Sequence, residues 1–202
     1  MAPVLISTGL ADLLPMVRGG DPASHISAII RYMCVKLGHF DLESGANPAF
    51  MELGSAWEDT VAAALANRYQ RAQPDRFTRI DEMVVDGLHG NMDLMDVLDW
   101  AVIEMKLTRL SARHEPDSLK FWKYWTQLKA YCYMATSNIG RLHVCHLEGN
   151  YEKDPTQRQI IYNVWEDRFS DQELLTNWRM LLTHGAAMRA DSAWMAMLES
   201  RQ

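Results

Sequence analysis

Apolar residues recur at three- and four-residue steps in four stretches of the chain, and this spacing predicts four helices. They cover residues 24–37, 48–69, 119–134 and 171–198. The first follows a Gly-Gly-Asp-Pro break and would begin at Ser24 as its N-cap. The last begins at Asp171, after Ser170, which forms a capping box with Glu173.

Shorter apolar runs separated by turns predict the β-strands. Three of them, over residues 80–85, 92–97 and 100–107, predict a three-stranded antiparallel meander. The third run is apolar throughout, as expected of a central strand that is covered on both faces. Residues 142–147 and 160–165 predict two more strands after the third helix. The order of elements therefore indicates one α/β domain.

Composition narrows the class of protein. The chain has 202 residues, 48% hydrophobic and 23% charged, which is a globular balance that disfavours a disordered, collagen-like or coiled-coil protein. A net charge of -6 disfavours a protein that coats nucleic acid through bulk positive charge, although local contacts with DNA remain compatible with it. No apolar stretch approaches the roughly 20 residues of a membrane span, so we expect a soluble, unsecreted protein.

The three cysteines, Cys34, Cys132 and Cys145, are far apart in the sequence. They form no Cys-x-x-Cys pair and are too few for a four-cysteine site, so we expect no structural zinc and no iron–sulfur cluster. Each is most simply a small buried hydrophobe with a free thiol.

Two acids lie on neighbouring strands of the predicted meander, Asp93 and Glu104. Carboxylates that converge at a sheet edge form an oxygen-ligand site suited to Mg²⁺ or Mn²⁺. Lys106 is two residues after Glu104, so both side chains point to the same face of the strand. A cation there can orient or deprotonate an attacking water and offset charge on a phosphate. The alternative is a structural Glu–Lys ion pair at a strand end.

Three further polar residues could complete such a site. Gln127 and Tyr131 are four apart on the third predicted helix and share one of its faces. Glu58 lies on the second predicted helix, which could close the far side of the site. Each also has an ordinary interpretation. Gln127 could be a surface amide, Tyr131 a core aromatic residue and Glu58 a solvated acid on a helix.

The combined series Gly54-x-x-x-Glu58, Gly90-x-x-Asp93, Glu104-x-Lys106 and Gln127-x-x-x-Tyr131 resembles the PD-(D/E)XK nuclease superfamily, specifically its RecB-like and phage lambda exonuclease-like branch. The resemblance covers about residues 54–131 and continues into the following strand. It implies a restriction-endonuclease-like core over about residues 48–166, with a mixed central β-sheet flanked by α-helices. Residues 1–47 and 170–202 would be helical extensions of this single domain.

The resemblance also implies roles for the site residues. Asp93, Glu104 and the backbone carbonyl of Met105 would be direct ligands of a metal ion, and Glu58 would hold it through water. Lys106 would position or activate the water that attacks a DNA phosphodiester bond. The reaction would be an in-line displacement, in which the metal stabilises charge on the phosphoryl oxygens.

Gln127 and Tyr131 would, by the same resemblance, orient the lysine and the scissile phosphate. Several RecB-like members carry a metal-binding histidine just before the helix acid, where this chain has Trp57. The metal site would then be all oxygen and would take Mg²⁺ or Mn²⁺. Other members hold an iron–sulfur cluster with four cysteines, which this sequence does not supply.

Local basic residues must supply the DNA contacts of an acidic chain. The best cluster follows the proposed catalytic strand and runs along the third predicted helix: Arg109, Arg113, Lys120, Lys123 and Lys129. The aromatic residues at positions 121, 122, 124 and 125 could stack on unpaired bases, or could belong to the core.

The leading hypothesis is a Mg²⁺- or Mn²⁺-dependent deoxyribonuclease, an exonuclease of the phage recombination or repair type. It would act on linear duplex or single-stranded DNA in a bacterial or phage-infected cytoplasm, with no membrane partner. A homo-oligomer and a single-strand annealing protein are further expected partners. The alternatives are an endonuclease with the same site and a catalytically silent nuclease-fold DNA-binding or assembly protein. A small-molecule enzyme has no supporting cofactor loop, because the chain has neither Gly-x-Gly-x-x-Gly nor a Walker-type motif.

Overall fold

The computed structural model describes residues 22–38, 48–69, 73, 75–80, 82–147 and 161–199. The helices in these ranges are α1 (Ile26–Lys36), α2 (Pro48–Tyr69), α3 (Trp122–Met134), α4 (Asp171–Ala190) and α5 (Ser192–Glu199). The strands are β1 (Phe77–Thr78), β2 (Met83–Val85), β3 (Leu88–Gly90), β4 (Leu94–Asp96), β5 (Ala101–Thr108), β6 (Ile139–His146) and β7 (Ile161–Arg168).

Five strands form one mixed sheet in the order β1-β4-β5-β6-β7. Strands β5 and β6 are parallel, and the other neighbouring pairs are antiparallel. The first five residues of β5 are buried, as the apolar run predicts for a central strand. Helices α2 and α3 both pack against β5. The predicted fold class, a mixed sheet flanked by helices in a single domain, is therefore confirmed.

The predicted meander is wrong in its first strand. Strand β2 pairs with β3 in a separate two-stranded hairpin, and the segment predicted as a turn contains β3 itself. The reason is the two-residue turn between them, where Asp86 and Gly87 adopt φ angles of 50° and 75°. Two successive positive φ angles reverse the chain at once, so Leu88–Gly90 folds back on Met83–Val85. Strand β4 pairs instead with β1 and β5.

Within the described residues, the hydrophobic core consists of two clusters. The larger joins α1, α3 and α4 to one face of the sheet and includes the fully buried Trp178, Phe121 and Leu128. The smaller joins α2 to the sheet and contains Ala62, Leu94, Ile103 and Met105. Side chains alternate between the two faces of β5, so Ile103 and Met105 pack in the smaller cluster, whereas Val102 packs in the larger one.

Several helix boundaries differ from the predictions. His25 rather than Ser24 is the N-cap of α1, and Ser24 lies in a preceding 3-10 turn. The last predicted helix breaks at Asp191 into α4 and α5. The capping box of Ser170 and Glu173 is confirmed, with the Glu173 N–H donating to the Ser170 hydroxyl at 3.3 Å.

An ion cluster fixes the turn between β4 and β5. The fully buried carboxylate of Asp96 pairs with Arg76 at 2.8 Å and with Arg141 at 2.6 Å. Burial alone would raise the pKa of Asp96, but the hydrogen bonds from these two arginines lower it below its usual range. Asp99 in the same turn also pairs with both arginines. The β4–β5 connection is therefore held in one conformation.

All three cysteines are buried with free thiols, as predicted. Among the described residues, no helix combines the length and the apolar character needed to cross a membrane.

Candidate active site

A pocket of about 180 Å³ opens where the start of α1, strands β3 and β5, and helices α2 and α3 approach one another. Five of the six predicted catalytic residues line it, namely Glu58, Asp93, Lys106, Gln127 and Tyr131. The sixth, Glu104, is fully buried and lies against the Lys106 ammonium. The folded chain thus brings together residues that are dispersed over about a third of the sequence.

Asp93 is anchored to strand β5 through its carboxylate. It immediately precedes β4, and the pairing of Leu94 with Ile103 places it beside Glu104. Its Oδ2 accepts a hydrogen bond of 2.6 Å from the backbone N–H of Met105. The short connection between β4 and β5 therefore produces the predicted juxtaposition of the two acids.

Glu104 is a buried carboxylate with an incomplete set of partners. Its side chain is 0% exposed, and Lys106 Nζ makes an ion pair with its Oε1. Apart from that contact, neither oxygen has a hydrogen-bond partner in the part of the chain that the structure describes. Burial raises the pKa of Glu104, and the nearby charges of Asp93 and Glu58 raise it further, while Lys106 opposes them. A carboxylate in this position favours a bound proton or an additional cation.

Lys106 extends from β5 into the pocket with a side chain that is 19% exposed. Burial alone would lower its pKa, but the carboxylates of Glu104 and Asp93 raise it above its usual value. The side chain therefore keeps its ammonium charge at neutral pH. Lys106 is thus a hydrogen-bond donor at the pocket and a weak candidate for a proton acceptor.

Tyr131 and Gln127 meet one turn apart on α3, as their spacing predicts. The Gln127 side-chain amide donates to the Tyr131 hydroxyl at 2.9 Å. Burial raises the pKa of Tyr131, and the negative charge of Glu104 raises it further, so the phenol stays protonated. Because that hydroxyl accepts from Gln127, its own proton can be donated toward the pocket.

Glu58 reaches the pocket from helix α2, which packs on the smaller core cluster. Its charge contributes to the raised pKa of Glu104. The neighbouring Trp57 is partly buried against the same cluster, and its ring centroid lies 6.0 Å from that of Tyr162. Trp57 therefore packs against the core beside Glu58.

The five predicted DNA-binding residues do not line the pocket. Arg109, Arg113 and Lys120 are exposed, and the Lys120 ammonium contacts the His114 ring at 3.0 Å. Lys123 and Lys129 are partly buried over aromatic rings of α3 and the loop before α4. Of the four aromatic neighbours considered for base stacking, Phe121 and Tyr124 belong to the core.

Sequence reasoning missed a second group of pocket residues. His25, Ser27, His89 and Asn91 also line the cavity. His89 and Asn91 are the sequence neighbours of Gly90 in the Gly90-x-x-Asp93 segment, and this adjacency was the available signal for them. No sequence signal identifies His25, because it reaches the pocket through an isolated parallel bridge to His89.

The donor set at Asp93 and Glu104 fits a divalent cation. It offers buried carboxylate oxygens that lack a full complement of hydrogen bonds. The sulfur atom nearest in sequence, that of Met105, is packed into the α2 cluster. Oxygen ligands with a net negative charge suit Mg²⁺ or Mn²⁺ better than a metal ion that prefers thiolate ligands.

Comparison with known proteins finds similarities of fold at low sequence identity. The protein SSO0001 is 16% identical with a TM-score of 0.47, over 88% of this chain and 81% of that one. A phage related exonuclease from Haemophilus somnus 129PT is 10% identical with a TM-score of 0.48, over 87% and 83%. An alkaline exonuclease from Laribacter hongkongensis is 14% identical with a TM-score of 0.46, over 88% and 93%. No known family profile and no curated protein matches the sequence.

Proposed function

We propose that this protein is a metal-dependent deoxyribonuclease of the PD-(D/E)XK type that hydrolyses phosphodiester bonds. The observation that carries the proposal is the buried Glu104 carboxylate, which is paired with Lys106 and adjoins Asp93 at the floor of a polar pocket. A structural Glu–Lys pair would need neither the second acid nor the opening to solvent. Three like-charged carboxylates around one lysine instead form a site whose charge is completed by a cation.

Asp93, Glu104 and the backbone carbonyl of Met105 would bind Mg²⁺ or Mn²⁺ directly, and Glu58 would bind it through water. This assignment is supported by the unsatisfied oxygens of Glu104 and by its raised pKa. When bound, the divalent cation offsets negative charge on the phosphoryl oxygens of the substrate.

Lys106 would hold the attacking water and the scissile phosphate by donating hydrogen bonds from its ammonium. Its raised pKa supports this role over that of a general base. The Tyr131 hydroxyl would donate a second hydrogen bond to the phosphate. Gln127 would fix the orientation of that hydroxyl through their 2.9 Å contact.

The DNA strand would leave the pocket along the exposed basic residues that follow β5. Exposure of Arg109, Arg113 and Lys120 supports contact with phosphates, since these side chains can reach a ligand without disturbing the core. Lys123 and Lys129 would contribute charge at longer range along α3. Local contacts of this kind allow an acidic protein to bind DNA.

We infer an exonuclease of the phage recombination or repair type, acting on linear duplex or single-stranded DNA in the cytoplasm of a bacterial or phage-infected cell. This finer assignment is supported by the four-part motif series that ends at Tyr131. A homo-oligomer that encloses DNA and a single-strand annealing partner would accompany this role.

The deciding experiment is digestion of end-labelled linear duplex, linear single strand and closed circular DNA in Mg²⁺, Mn²⁺ or EDTA. We expect metal-dependent loss of the linear substrates alone, and Lys106→Ala should lower the rate at least about 100-fold. Lys36→Ala, at an ion pair with Asp191, is the matched control and should cleave at the wild-type rate. Nicking of the circle would replace the exonuclease by an endonuclease. Equal cleavage by wild type and Lys106→Ala would overturn the site.

A further inference from the structure

A second group of metal-ligating side chains adjoins the pocket and takes no part in the site proposed above. His25, Glu82 and His89 each offer one ligand atom, and these atoms all lie within 4.8 Å of one another. His25 Nε2 is 3.5 Å from Glu82 Oε1, and His89 Nδ1 is 3.4 Å from the same oxygen. The two histidines also line the pocket, whereas Glu82 does not.

The backbone fixes the approach of these three side chains. Glu82 and His89 belong to the β2–β3 hairpin, where His89 pairs with Val84, so the alternation of side chains puts 82 and 89 on one face. His25 forms a parallel bridge with His89, and their ring centroids are 5.4 Å apart at an interplanar angle of 45°. The cluster is therefore built from the β2–β3 hairpin and the residue that precedes α1.

Two of the three distances between ligand atoms agree with tetrahedral coordination, and the third is at most 4.8 Å. Atoms that lie about 2.0–2.1 Å from a tetrahedral zinc ion are roughly 3.3–3.4 Å from each other. The carboxylate oxygen of Glu82 is 3.4 Å and 3.5 Å from the two imidazole nitrogens. His89 Nδ1 is buried and, among the described residues, has no hydrogen-bond partner. It lies close to the Glu82 carboxylate, but the two do not have the geometry of a hydrogen bond.

We propose that His25, Glu82 and His89 form a transition-metal site that binds Zn²⁺ through two imidazoles and one carboxylate. Three protein ligands of this type leave at least one coordination position open, as in catalytic zinc sites. Imidazole ligands distinguish it from the oxygen site at Asp93 and Glu104, which suits harder ions. Because two of its ligands line the pocket, the bound ion would add positive charge to the pocket that Lys106 also lines.

The test is metal binding by the full chain, and it does not depend on nuclease activity. Zn²⁺ affinity is measured by calorimetry, and Co²⁺ binding by the visible absorption bands that a tetrahedral cobalt site produces. We expect one high-affinity equivalent of Zn²⁺ in the wild type and in Asp93→Asn. His89→Gln and Glu82→Gln should each weaken it at least tenfold and remove the cobalt bands. His114→Gln, which changes a histidine outside the cluster, is the matched control.

Thermal unfolding without metal shows whether each variant keeps the fold. If His89→Gln does not fold, Glu82→Gln provides the test, because the Glu82 side chain is the most exposed of the three at 28%. Loss of affinity in a folded Glu82→Gln or His89→Gln protein supports the site. Unchanged zinc affinity in both variants would overturn it. Loss of the high-affinity Zn²⁺ equivalent in Asp93→Asn would also overturn it, since the zinc would then bind at the oxygen site of Asp93 and Glu104.

Discussion

The carboxylate of Asp93 accepts a 2.6 Å hydrogen bond from the backbone N–H of Met105, the residue between Glu104 and Lys106. This contact ties the segment before β4 to the middle of β5. It sets the two acids side by side even though one of them lies outside any regular strand. The bond therefore fixes the position of the residue before β4 relative to β5.

Replacing Asp93 with asparagine removes the negative charge of the side chain and keeps an oxygen that can accept the hydrogen bond from Met105. The amide oxygen can still accept from the Met105 N–H, so we expect Asp93→Asn to fold. Removal of a negative charge beside Glu104 relieves repulsion, and the melting temperature without metal should be unchanged or higher. Stabilisation by Mn²⁺ should fall sharply, because the proposed carboxylate ligand becomes a neutral amide. Calorimetric unfolding with and without Mn²⁺ measures both effects, and a wild-type Mn²⁺ shift would contradict the ligand assignment.

The Tyr131 hydroxyl and the Gln127 amide are expected to contribute unequally. Tyr131→Phe removes the proton proposed to reach the phosphate, whereas Gln127→Ala removes only the group that orients it. We therefore expect both to lower kcat for DNA cleavage, with the larger loss in Tyr131→Phe. Single-turnover cleavage rates at saturating metal make the comparison. A larger loss in Gln127→Ala would give the amide the direct role.

Gly90 marks a position where the neighbouring side chains leave no room for a Cβ atom. A Cβ there would lie 2.8 Å from Tyr131 Cε1 and 2.9 Å from both Ile26 Cδ1 and Met134 Sδ. We expect Gly90→Ala to lower the free energy of unfolding by about 1–3 kcal/mol and to reduce cleavage by displacing Tyr131.

Gly54 is the matched control for that substitution. Among the described residues, its Cβ would meet nothing within 4 Å, and Gly54 lies inside α2. Gly54→Ala should therefore stabilise the protein by up to about 1 kcal/mol. Chemical denaturation of both variants gives the two values, and equal effects would remove the steric explanation.

His143 makes the fold sensitive to mild acid. It is 5% exposed, its Nδ1 lies 2.5 Å from the Tyr162 hydroxyl, and burial, with a smaller contribution from Arg141, lowers its pKa to about 4. Between pH 6.5 and 4 the unfolded chain binds more protons at this residue than the folded chain does. The stabilising contribution is therefore complete above about pH 6.5 and is lost as the pH falls toward 4.

His143→Gln should lose less stability than the wild type on going from pH 7 to pH 5. The expected difference is about 2 kcal/mol, from roughly 1.5 pH units of differential protonation. Other titrating groups act on both proteins and cancel in the comparison. Unfolding curves at the two pH values provide the measurement, and parallel losses in both proteins would assign the acid sensitivity elsewhere.

The sequence predicts the middle of this fold well because its signals there are local. The apolar run that becomes β5 is long enough to indicate a central strand, and its short connection to Asp93 predicts the pairing of the two acids. The helical spacing of Gln127 and Tyr131 likewise predicts their contact. Each of these relationships depends on residues close together in the chain.

The features that sequence reasoning missed depend on distant contacts or on backbone conformation. The positive φ angles at Asp86 and Gly87 create a hairpin where hydrophobic patterning indicates a longer strand and a loop. The bridge between His25 and His89 joins two segments with no shared motif. Hydrophobic periodicity cannot reveal either, because both concern how the chain turns and packs rather than which residues are apolar.

Helix α1 has a consequence for any attempt to isolate a minimal catalytic fragment. Its residues Ile26, Ile29 and Ile30 are buried in the larger core cluster, and its N-cap forms part of the pocket wall. A recombinant fragment that starts at residue 48 would keep all six proposed catalytic side chains and yet expose the apolar surface that α1 covers on α3 and α4. Such a fragment would aggregate before its chemistry could be assayed.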